Sequence, residues 1–223
     1  AIAPMVSSMD HKRAGDGDTG LNTGGMGTVA PNPCYTEDIA QVCMDTIFLP
    51  TLAAMRAEGC PFKGCLYFGL MLTPDGPKVI EYNCRFGDPE TQVVLPLLKT
   101  DLLTVMQAVE NETLGELTVE WRHASAACVI LASGGYPGHY EKGKAISLPA
   151  SLPGNVTIYH AGDRLDESGR LVTSGGRVLG ITATGPTLRQ ALADAYAAAK
   201  TVDFDGKYLR HDIGRRALAA LAD

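Results

Sequence analysis

The sequence has no run of apolar residues long enough to cross a lipid bilayer, and it has no block rich in lysine and arginine. A membrane-spanning helix needs about 20 consecutive apolar residues, so no membrane segment is expected. Binding to the phosphate backbone of DNA or RNA needs clustered positive charge, whereas the formal net charge is −6. We therefore expect neither a membrane nor a nucleic acid as a partner.

The N-terminus has neither a starting methionine nor the basic flank of a signal peptide, and the sequence is expected to be cut from a longer chain. The six cysteines form no CxxC pair and have no regular spacing. Several of them lie in apolar segments, which favours reduced thiols in a cytoplasmic protein over a disulfide framework.

A polar cluster follows an apolar run at residues 79–91. If residues 77–83 form a strand, Glu81 and Asn83 share one face, while Ile80 and Tyr82 point into packing. A carboxylate and an amide oxygen are hard ligands suited to Mg²⁺, and the guanidinium of Arg85 is suited to phosphate oxygens. The cluster predicts a phosphate-handling metal site, with a solvated strand end followed by a helix cap as the alternative.

Residues 9–28 contain six glycines among charged and small polar residues, and they are predicted to form a long loop. Glycines let backbone N–H groups approach an anion, so residues 22–27 are candidates for wrapping phosphate or carboxylate oxygens. The loop does not end in the Gly-Lys-Ser/Thr of a Walker A motif, and a merely flexible loop is the alternative. The neighbouring Lys12 and Arg13 favour the anion-binding interpretation.

In the first half of the chain, Thr36 is predicted to cap a helix that Pro50 kinks or splits and that ends at Gly59. The apolar face of this helix is expected to hold Ile39, Val42, Cys43 and Ile47. Residues 65–72 then predict a strand covered on both faces, paired in a hairpin with residues 79–83.

Asp88 followed by Pro89 has the pattern of a helix start, with Asp88 as the N-cap. A further helix is predicted over residues 101–111, with Leu102, Val105, Met106 and Val109 buried, and a domain boundary is placed near Leu117. If Asp88 is only a cap, it has no chemical role.

The second half predicts antiparallel strands at 124–132, 155–160 and 178–183, with a turn at 166–169. Thr187 is predicted to cap a helix over 188–200, and a short segment at 208–213 precedes a last helix. These elements are interpreted as packing rather than chemistry. His123, His139, His160 and His211 lack the spacing of metal ligands.

Eight motifs resemble those of the phosphoribosylamine–glycine ligase (glycinamide ribonucleotide synthetase) family, ATP-grasp enzymes of purine synthesis. They run in family order over essentially the whole chain, at residues 10–13, 18–20, 22–27, 69–71, 83–92, 134–138, 174–179 and 212–214. Leu21 stands where the family typically has proline, and Tyr82 where phenylalanine is usual.

The resemblance implies an α+β fold: residues 1–117 as the C-terminal lobe of an ATP-grasp domain, with an antiparallel sheet and helices, and residues 118–223 as a small C-terminal domain of antiparallel sheet plus helices. It covers the C-terminal half of the family, so the N-terminal domain and the subdomain that clamps adenine are expected to be missing.

The resemblance also implies the reaction, an ATP-dependent ligation of glycine to 5-phosphoribosylamine through a glycyl phosphate. An inactive fragment or scaffold, and another ATP-grasp carboxylate–amine ligase, are the alternatives. Glu81 and Asn83 are assigned to one Mg²⁺ or Mn²⁺, because residues 65–72 contain no acidic residue for a second metal. The catalytic candidates are Arg85, Lys12 and Asp88, and the substrate-binding candidates are Asp10, Arg13, Asn22, Thr23, Gly24, Gly25 and Gly27.

Overall fold

The computed structural model describes residues 1–222, which fold into two compact units. Unit 1 consists of residues 1–5, 33–87 and 98–122. Unit 2 consists of residues 6–32 and 88–97 together with the chain from residue 123 onward. Each unit is built from several separate segments of the chain, so a single boundary at residue 117 does not separate the two units. The last point at which the chain passes from unit 1 to unit 2, between residues 122 and 123, lies near that boundary. The predicted domain boundary itself stays a prediction.

The helical elements are α1 (Glu37–Cys43), a π-helical turn (Met44–Phe48), α2 (Leu49–Ala57), α3 (Thr91–Val94), a 3₁₀ turn (Leu95–Leu97), α4 (Leu102–Glu110), a 3₁₀ turn (Leu114–Glu116), α5 (Leu188–Ala199) and α6 (Arg215–Ala220). The strands are β1 (Met9–Asp10), β2 (Arg13–Gly15), β3 (Thr19–Asn22), β4 (Gly27–Ala30), β5 (Tyr67–Thr73), β6 (Gly76–Asn83), β7 (Ser125–Ser133), β8 (Val156–His160), β9 (Asp163–Leu165), β10 (Leu171–Thr173), β11 (Arg177–Gly185) and β12 (Lys207–Tyr208). All strand pairs are antiparallel, which confirms the predicted α+β class.

Unit 2 is built around a sheet in the order β1-β4-β7-β11-β8, with β12 also paired to β7. The central strand β7 is buried at residues 126–133, as expected of an apolar strand covered on both faces. Helix α5 packs Ala191, Leu192 and Ala195 into this core. The predicted Thr187 cap is confirmed, since its side chain accepts a hydrogen bond from the Gln190 N–H at 3.2 Å.

Residues 9–28 are not a long loop, contrary to the sequence-based expectation. They form β1 to β4, in which β2 pairs with β3 and β1 and β4 lie in the main sheet. The hairpin turn takes the left-handed backbone at Gly17 and Asp18, with φ of 69° and 56°. Glycine favours both a tight hairpin turn and an irregular loop. The glycine content of residues 9–28 alone therefore does not distinguish paired strands from a loop.

Unit 1 contains the β5–β6 hairpin, predicted correctly with its turn at 73–76, and the helical residues 37–57. Thr36 caps α1 as predicted, and α2 ends at Ala57, two residues before Gly59, which takes the left-handed backbone with φ of 75°. Pro50 does not end the helical stretch, since it lies in the first turn of α2, directly after the π-helical turn. Cys43 and Ile47 are buried, but Val42 is 44% exposed.

The continuous helical stretch Glu37–Ala57 has the length and composition that would let a helix cross a membrane. The sequence-based expectation that the protein has no membrane segment stays a prediction. One such helix does not by itself indicate a membrane protein, because core helices of water-soluble proteins meet the same test.

The hairpin of unit 1 is more exposed than predicted. Met71 is 53% exposed rather than covered, and Ile80 and Tyr82, which were expected to point into packing, are 62% and 50% exposed. The register jumps from Gly69↔Glu81 to Leu70↔Val79, which leaves Ile80 as the extra residue of a bulge. A two-stranded sheet has few neighbours to cover it, so an apolar sequence does not ensure burial here.

Helix α4 follows the predicted span, and Asp101 caps it by accepting a hydrogen bond from the Thr104 N–H at 3.0 Å. Leu102, Val105 and Val109 are partly buried, whereas Met106 is 46% exposed. Met106 was predicted to lie on the buried stripe, and the prediction is wrong for this residue.

Candidate functional site

Two candidate metal ligands stand at the end of β6 in unit 1. Glu81 and Asn83 are two residues apart in this strand and so share a face, while Tyr82 packs its ring against Phe68 with centroids 5.4 Å apart. A Cβ on Gly69 would lie 2.8 Å from the Cγ of Glu81, so only glycine leaves room for the Glu81 side chain across the hairpin. Local strand geometry thus produces the predicted pair.

The donor set fits a hard divalent cation that keeps part of its hydration shell. Carboxylate and amide oxygens are the ligand types that Mg²⁺ takes, together with water and substrate phosphate. Within residues 1–222 no group of three or more His, Cys, Asp or Glu side chains could hold a metal by itself. The pair therefore suits an open site that substrate completes, and it does not suit a closed structural site.

Arg85 lies two residues beyond β6, where its side chain is exposed. Its Nη1 donates a hydrogen bond to the Phe86 carbonyl oxygen at 3.0 Å. This bond is local and fixes only one end of the guanidinium fork, which has five N–H donors. Arg85 is thus an exposed cation in the same unit as Glu81 and Asn83.

A second cluster lies in unit 2 and surrounds Lys12. The Lys12 Nζ is 2.5 Å from Asp10 Oδ2 and 3.8 Å from Glu90 Oε1. The two carboxylate side chains are only 7% and 6% exposed, whereas the lysine side chain is 46% exposed. The structure therefore brings together two predicted residues, Asp10 and Lys12, and adds Glu90, which was not predicted.

The cluster changes the protonation of Asp10. Burial, followed by the nearby Glu90 charge, raises the pKa of the Asp10 carboxyl to about 6 against the opposing effect of Lys12. Two buried carboxylates share one ammonium, so the cluster carries an excess of negative charge when both are ionised.

His11, which the sequence presented only as part of a motif, is fully buried. Its Nδ1 lies 3.0 Å from the Gly27 carbonyl oxygen, and the Gly214 N–H donates to its Nε2 at 3.1 Å. Because the Gly27 carbonyl can only accept, Nδ1 must carry a proton, and because the Gly214 N–H donates, Nε2 must be unprotonated. The His11 ring is therefore neutral with its proton on Nδ1. Burial lowers the pKa of His11 to about 4.

The glycine-rich segment donates its N–H groups inside the protein. The Gly24 N–H donates to the Tyr136 hydroxyl at 3.0 Å, and the Gly25 N–H donates to Thr23 Oγ1 at 2.9 Å. A Cβ on Gly25 would lie 2.5 Å from Pro89 Cδ and 2.7 Å from Asp10 Oδ1, so glycine is required by packing. An anion at this segment would have to compete with these existing hydrogen bonds.

The other predicted substrate-binding residues lie on β2 to β4. Asn22 and Arg13 are exposed and opposite each other in the β2–β3 register, and the Arg13 Nη1 donates to the Gly20 carbonyl oxygen at 2.7 Å. Gly27 is buried in β4, where a Cβ would lie 2.7 Å from the Cys128 carbonyl oxygen. Gly27 therefore serves strand packing.

Asp88 is not a helix cap, because α3 begins at Thr91 and its N-cap position is Glu90. Instead, Asp88 Oδ2 accepts from Arg177 Nη2 at 2.9 Å, and its Oδ1 accepts from Gln92 Nε2 at 2.8 Å. Arg177, from β11, lies in the family motif at 174–179 but was not named as a site residue. Its partners are far away in the sequence, so the motif alone does not show what it contacts.

A third group, also missed, ties the C-terminal segment to the β2–β3 hairpin. The buried guanidinium of Arg210 donates to both carboxylate oxygens of Asp212 at 2.8 and 2.9 Å. It also donates to Asp18 Oδ1 at 2.9 Å and to the Arg13 carbonyl oxygen at 3.1 Å. The signals in the sequence were the family motifs at 18–20 and 212–214, which contain Asp18 and Asp212 but give no reason for an arginine at 210.

Two family models match this chain, and one of them is that of an ATP-grasp domain. The model of the phosphoribosylglycinamide synthetase ATP-grasp (A) domain matches residues 1–91, and that of the C domain matches residues 126–216. The chain belongs to the phosphoribosylglycinamide synthetase family.

Named relatives agree with this assignment. The chain is 47% identical over 218 residues to a phosphoribosylamine–glycine ligase of Nostoc, with 96% of this chain and 51% of the relative covered. It is 46% identical over 221 residues to the chloroplastic phosphoribosylamine–glycine ligase of Arabidopsis thaliana, covering 96% of this chain and 41% of the relative.

The crystal structure of the phosphoribosylamine–glycine ligase of Thermotoga maritima is similar, with a TM-score of 0.81 and 39% identity. The match covers 93% of this chain and 51% of that one. The chain thus spans about half the length of the ligases of Nostoc and Thermotoga maritima that it matches.

Proposed function

We propose that this chain is the C-terminal half of a phosphoribosylamine–glycine ligase, which joins glycine to 5-phosphoribosylamine and converts ATP to ADP and phosphate. The observation that carries the proposal is the Glu81–Asn83 pair on one face of β6, in a chain matched by both domain models of this family. A carboxylate–amide pair suits Mg-nucleotide chemistry, and the family defines the acid and the amine.

In the proposed reaction, the glycine carboxylate attacks the γ-phosphate of ATP to give glycyl phosphate and ADP. The amine of 5-phosphoribosylamine then displaces phosphate, and glycinamide ribonucleotide is formed. The protein's part in such phosphoryl transfer is mainly to position the reactants and to neutralise charge.

In unit 1, Glu81 and Asn83 would hold Mg²⁺ or Mn²⁺. When bound, the cation supplies positive charge beside the phosphate oxygens. Arg85 donates hydrogen bonds to the phosphate being transferred, where a planar guanidinium is more effective than an ammonium. The exposure of Glu81 and Arg85 supports these roles, because both side chains are accessible to a ligand.

In unit 2, the Lys12 ammonium is the proposed catalytic cation, since it is half exposed and held by a buried carboxylate. Asp10 orients it, and Asp88 contributes through its fixed position beside the glycine-rich segment. Arg13, Asn22 and Thr23 are proposed to bind substrate, as are Gly24, Gly25 and Gly27 through the shape of the backbone.

The partners proposed are ATP, glycine, 5-phosphoribosylamine and the other half of the ligase, with neither nucleic acid nor membrane. We place the protein in the cytoplasm, which is the compartment that the resemblance to this family of purine-synthesis enzymes implies. The relative in Arabidopsis thaliana is chloroplastic by name, so the compartment differs within the family.

The test pairs this chain with the N-terminal half of the Nostoc relative and measures ADP release and glycinamide ribonucleotide formation. We expect turnover only when both halves, glycine, 5-phosphoribosylamine and Mg-ATP are present. The C-terminal half of the Nostoc protein, paired in the same way, is the positive control. If that pair is active and the pair with this chain is not, or if another acid or amine is preferred, the proposal is wrong.

A further inference from the structure

Arg177, at the start of β11, lies between two segments that carry candidate site residues. Its Nη1 donates to the Gly24 carbonyl oxygen at 3.0 Å and to the Asp88 carbonyl oxygen at 2.9 Å. Its Nη2 donates to Asp88 Oδ2 at 2.9 Å, and its side chain is 20% exposed. One guanidinium therefore bridges the glycine-rich segment and the segment that begins at Asp88, as a planar fork of donors can do.

The remaining backbone group of Gly24 is also held by the C-terminal part of the chain. The Gly24 N–H donates to the Tyr136 hydroxyl at 3.0 Å, and a Cβ on Gly176 would lie 2.1 Å from Cδ2 of the Tyr136 ring. A Cβ on Gly24 would itself lie 2.9 Å from Arg177 Cζ. Because residues 24 and 176 are glycines, Arg177 can approach the Gly24 carbonyl group and Tyr136 can approach the Gly24 N–H.

Both bridged segments lead to Lys12. The Thr23 N–H and Oγ1 donate to the Lys12 carbonyl oxygen at 2.7 and 2.9 Å, so the residue next to Gly24 fixes the lysine backbone. Two residues after Asp88, the Glu90 carboxylate lies 3.8 Å from the Lys12 Nζ. Arg177 therefore holds Gly24, which follows the residue bonded to the Lys12 backbone, and Asp88, which lies two residues before the carboxylate near the Lys12 ammonium.

We propose that Arg177 is a positioning residue that sets the spacing between Gly24 and Asp88, and through it the placement of Lys12 and the glycine-rich segment for ligation. The expected effect on ligation rests on the proposed function, whereas the expected effect on the position of the glycine-rich segment does not. The C-terminal part of the chain, which the sequence presented as packing alone, then contributes to the site through Arg177 and Tyr136. Small displacements of positioned groups reduce rates strongly, so loss of this bridge affects chemistry more than folding.

The first measurement is amide hydrogen exchange of the 223-residue chain, followed on peptides that cover residues 22–27. Arg177→Met is expected to speed exchange there about tenfold or more, while exchange in β7 stays the same, because only local opening becomes easier. Arg177→Lys keeps one charge beside Asp88 but loses the fork, so an intermediate rate is expected. Arg170→Met is the matched control, since Arg170 is an exposed arginine paired with Asp166 in the same unit.

The second measurement is steady-state ligation by the paired halves described above. Arg177→Met is expected to lower kcat/KM for glycine or 5-phosphoribosylamine about tenfold, with the KM for ATP little changed and partial rescue by Arg177→Lys. Unchanged exchange at residues 22–27 overturns the proposal, and so does faster exchange with wild-type kinetics. If the pair with wild-type chain is inactive, the proposed function fails, while hydrogen exchange still decides whether Arg177 fixes the segment.

Discussion

The two units carry candidate site residues in opposite physical states. In unit 2 three charged side chains are buried and ion-paired, namely Asp10 and Glu90 beside Lys12, and Arg210 beside Asp18 and Asp212. In unit 1, Glu81 and Arg85 are exposed, and the surrounding hairpin leaves large apolar side chains in solvent. Charges in unit 2 thus affect folding directly, whereas charges in unit 1 are available for a ligand and should hardly affect stability.

The largest expected difference in unfolding free energy is that between variants of the buried Arg210 and the exposed Arg170. Arg210→Met should destabilise unit 2 by about 3–5 kcal/mol, because it leaves Asp212 and Asp18 without the buried cation that both contact. Arg170→Met removes an exposed arginine with one partner and should cost about 1 kcal/mol or less. Guanidinium denaturation followed by far-ultraviolet circular dichroism measures both. Equal effects of the two variants would show that burial does not set the difference.

The second contrast lies between two adjacent residues of unit 2, Asp10 and His11. The folded-state pKa of His11 is lowered to about 4, so the unfolded chain binds more protons, and stability rises with pH between about 4 and 6.5. The pKa of Asp10 is raised to about 6, so the folded chain binds more protons, and stability falls as pH rises from about 4 to 6. Each shift corresponds to about 3 kcal/mol, and the two slopes offset each other.

Asp10→Asn should therefore reveal the His11 slope, with unfolding free energy increasing by about 3 kcal/mol between pH 4 and 6.5. The wild-type chain should be much flatter over this range. The charged residues that act on the pKa of His11 are Arg210, Arg216 and Asp18, and those that act on the pKa of Asp10 are Lys12 and Glu90. All five must be left intact, because changing any of them would shift one of the two pKa values. Denaturation at several pH values tests this. An Asp10→Asn profile as flat as that of the wild type would contradict the assignment of a neutral buried His11.

The smallest expected effect on stability belongs to Glu81→Ala in unit 1. Its carboxylate is exposed and has no ion pair within residues 1–222, so the change should be within about 0.5 kcal/mol. The only tryptophan, Trp121, belongs to unit 1, so its fluorescence is a suitable probe of unfolding there. Glu58→Ala, which removes another exposed carboxylate of unit 1, is the control. A loss of several kcal/mol for Glu81→Ala alone would assign Glu81 to the structure of the hairpin.

Features that depend on neighbouring residues were predictable from the sequence. The predicted helix caps at Thr36 and Thr187 each accept a hydrogen bond from an N–H three residues later, so the pattern and the structure are both local. The β5–β6 hairpin and the alternation that places Glu81 beside Asn83 are equally local.

Features that depend on distant partners were not predictable in this way. Arg177 and Gly24 are 153 residues apart, and Arg210 and Asp18 are 192 apart, so no sequence window contains both members. Burial was likewise misjudged where it depends on the number of neighbouring strands, as at Ile80 in a two-stranded sheet. The fold class and the shared face of Glu81 and Asn83 thus followed from the sequence, whereas the contacts of Arg177 and Arg210 required the structure.

The most direct test of the proposed ligase is the divalent-cation dependence of glycinamide ribonucleotide formation by the paired halves, with wild-type chain, Glu81→Ala and Glu58→Ala. We expect wild type and Glu58→Ala to depend on Mg²⁺ in the same way. Glu81→Ala should lose at least about a hundredfold in rate at low Mg²⁺, because a neutral amide alone is a weak ligand for a hard dication. Wild-type turnover by Glu81→Ala at low Mg²⁺ would contradict the assignment of the metal site.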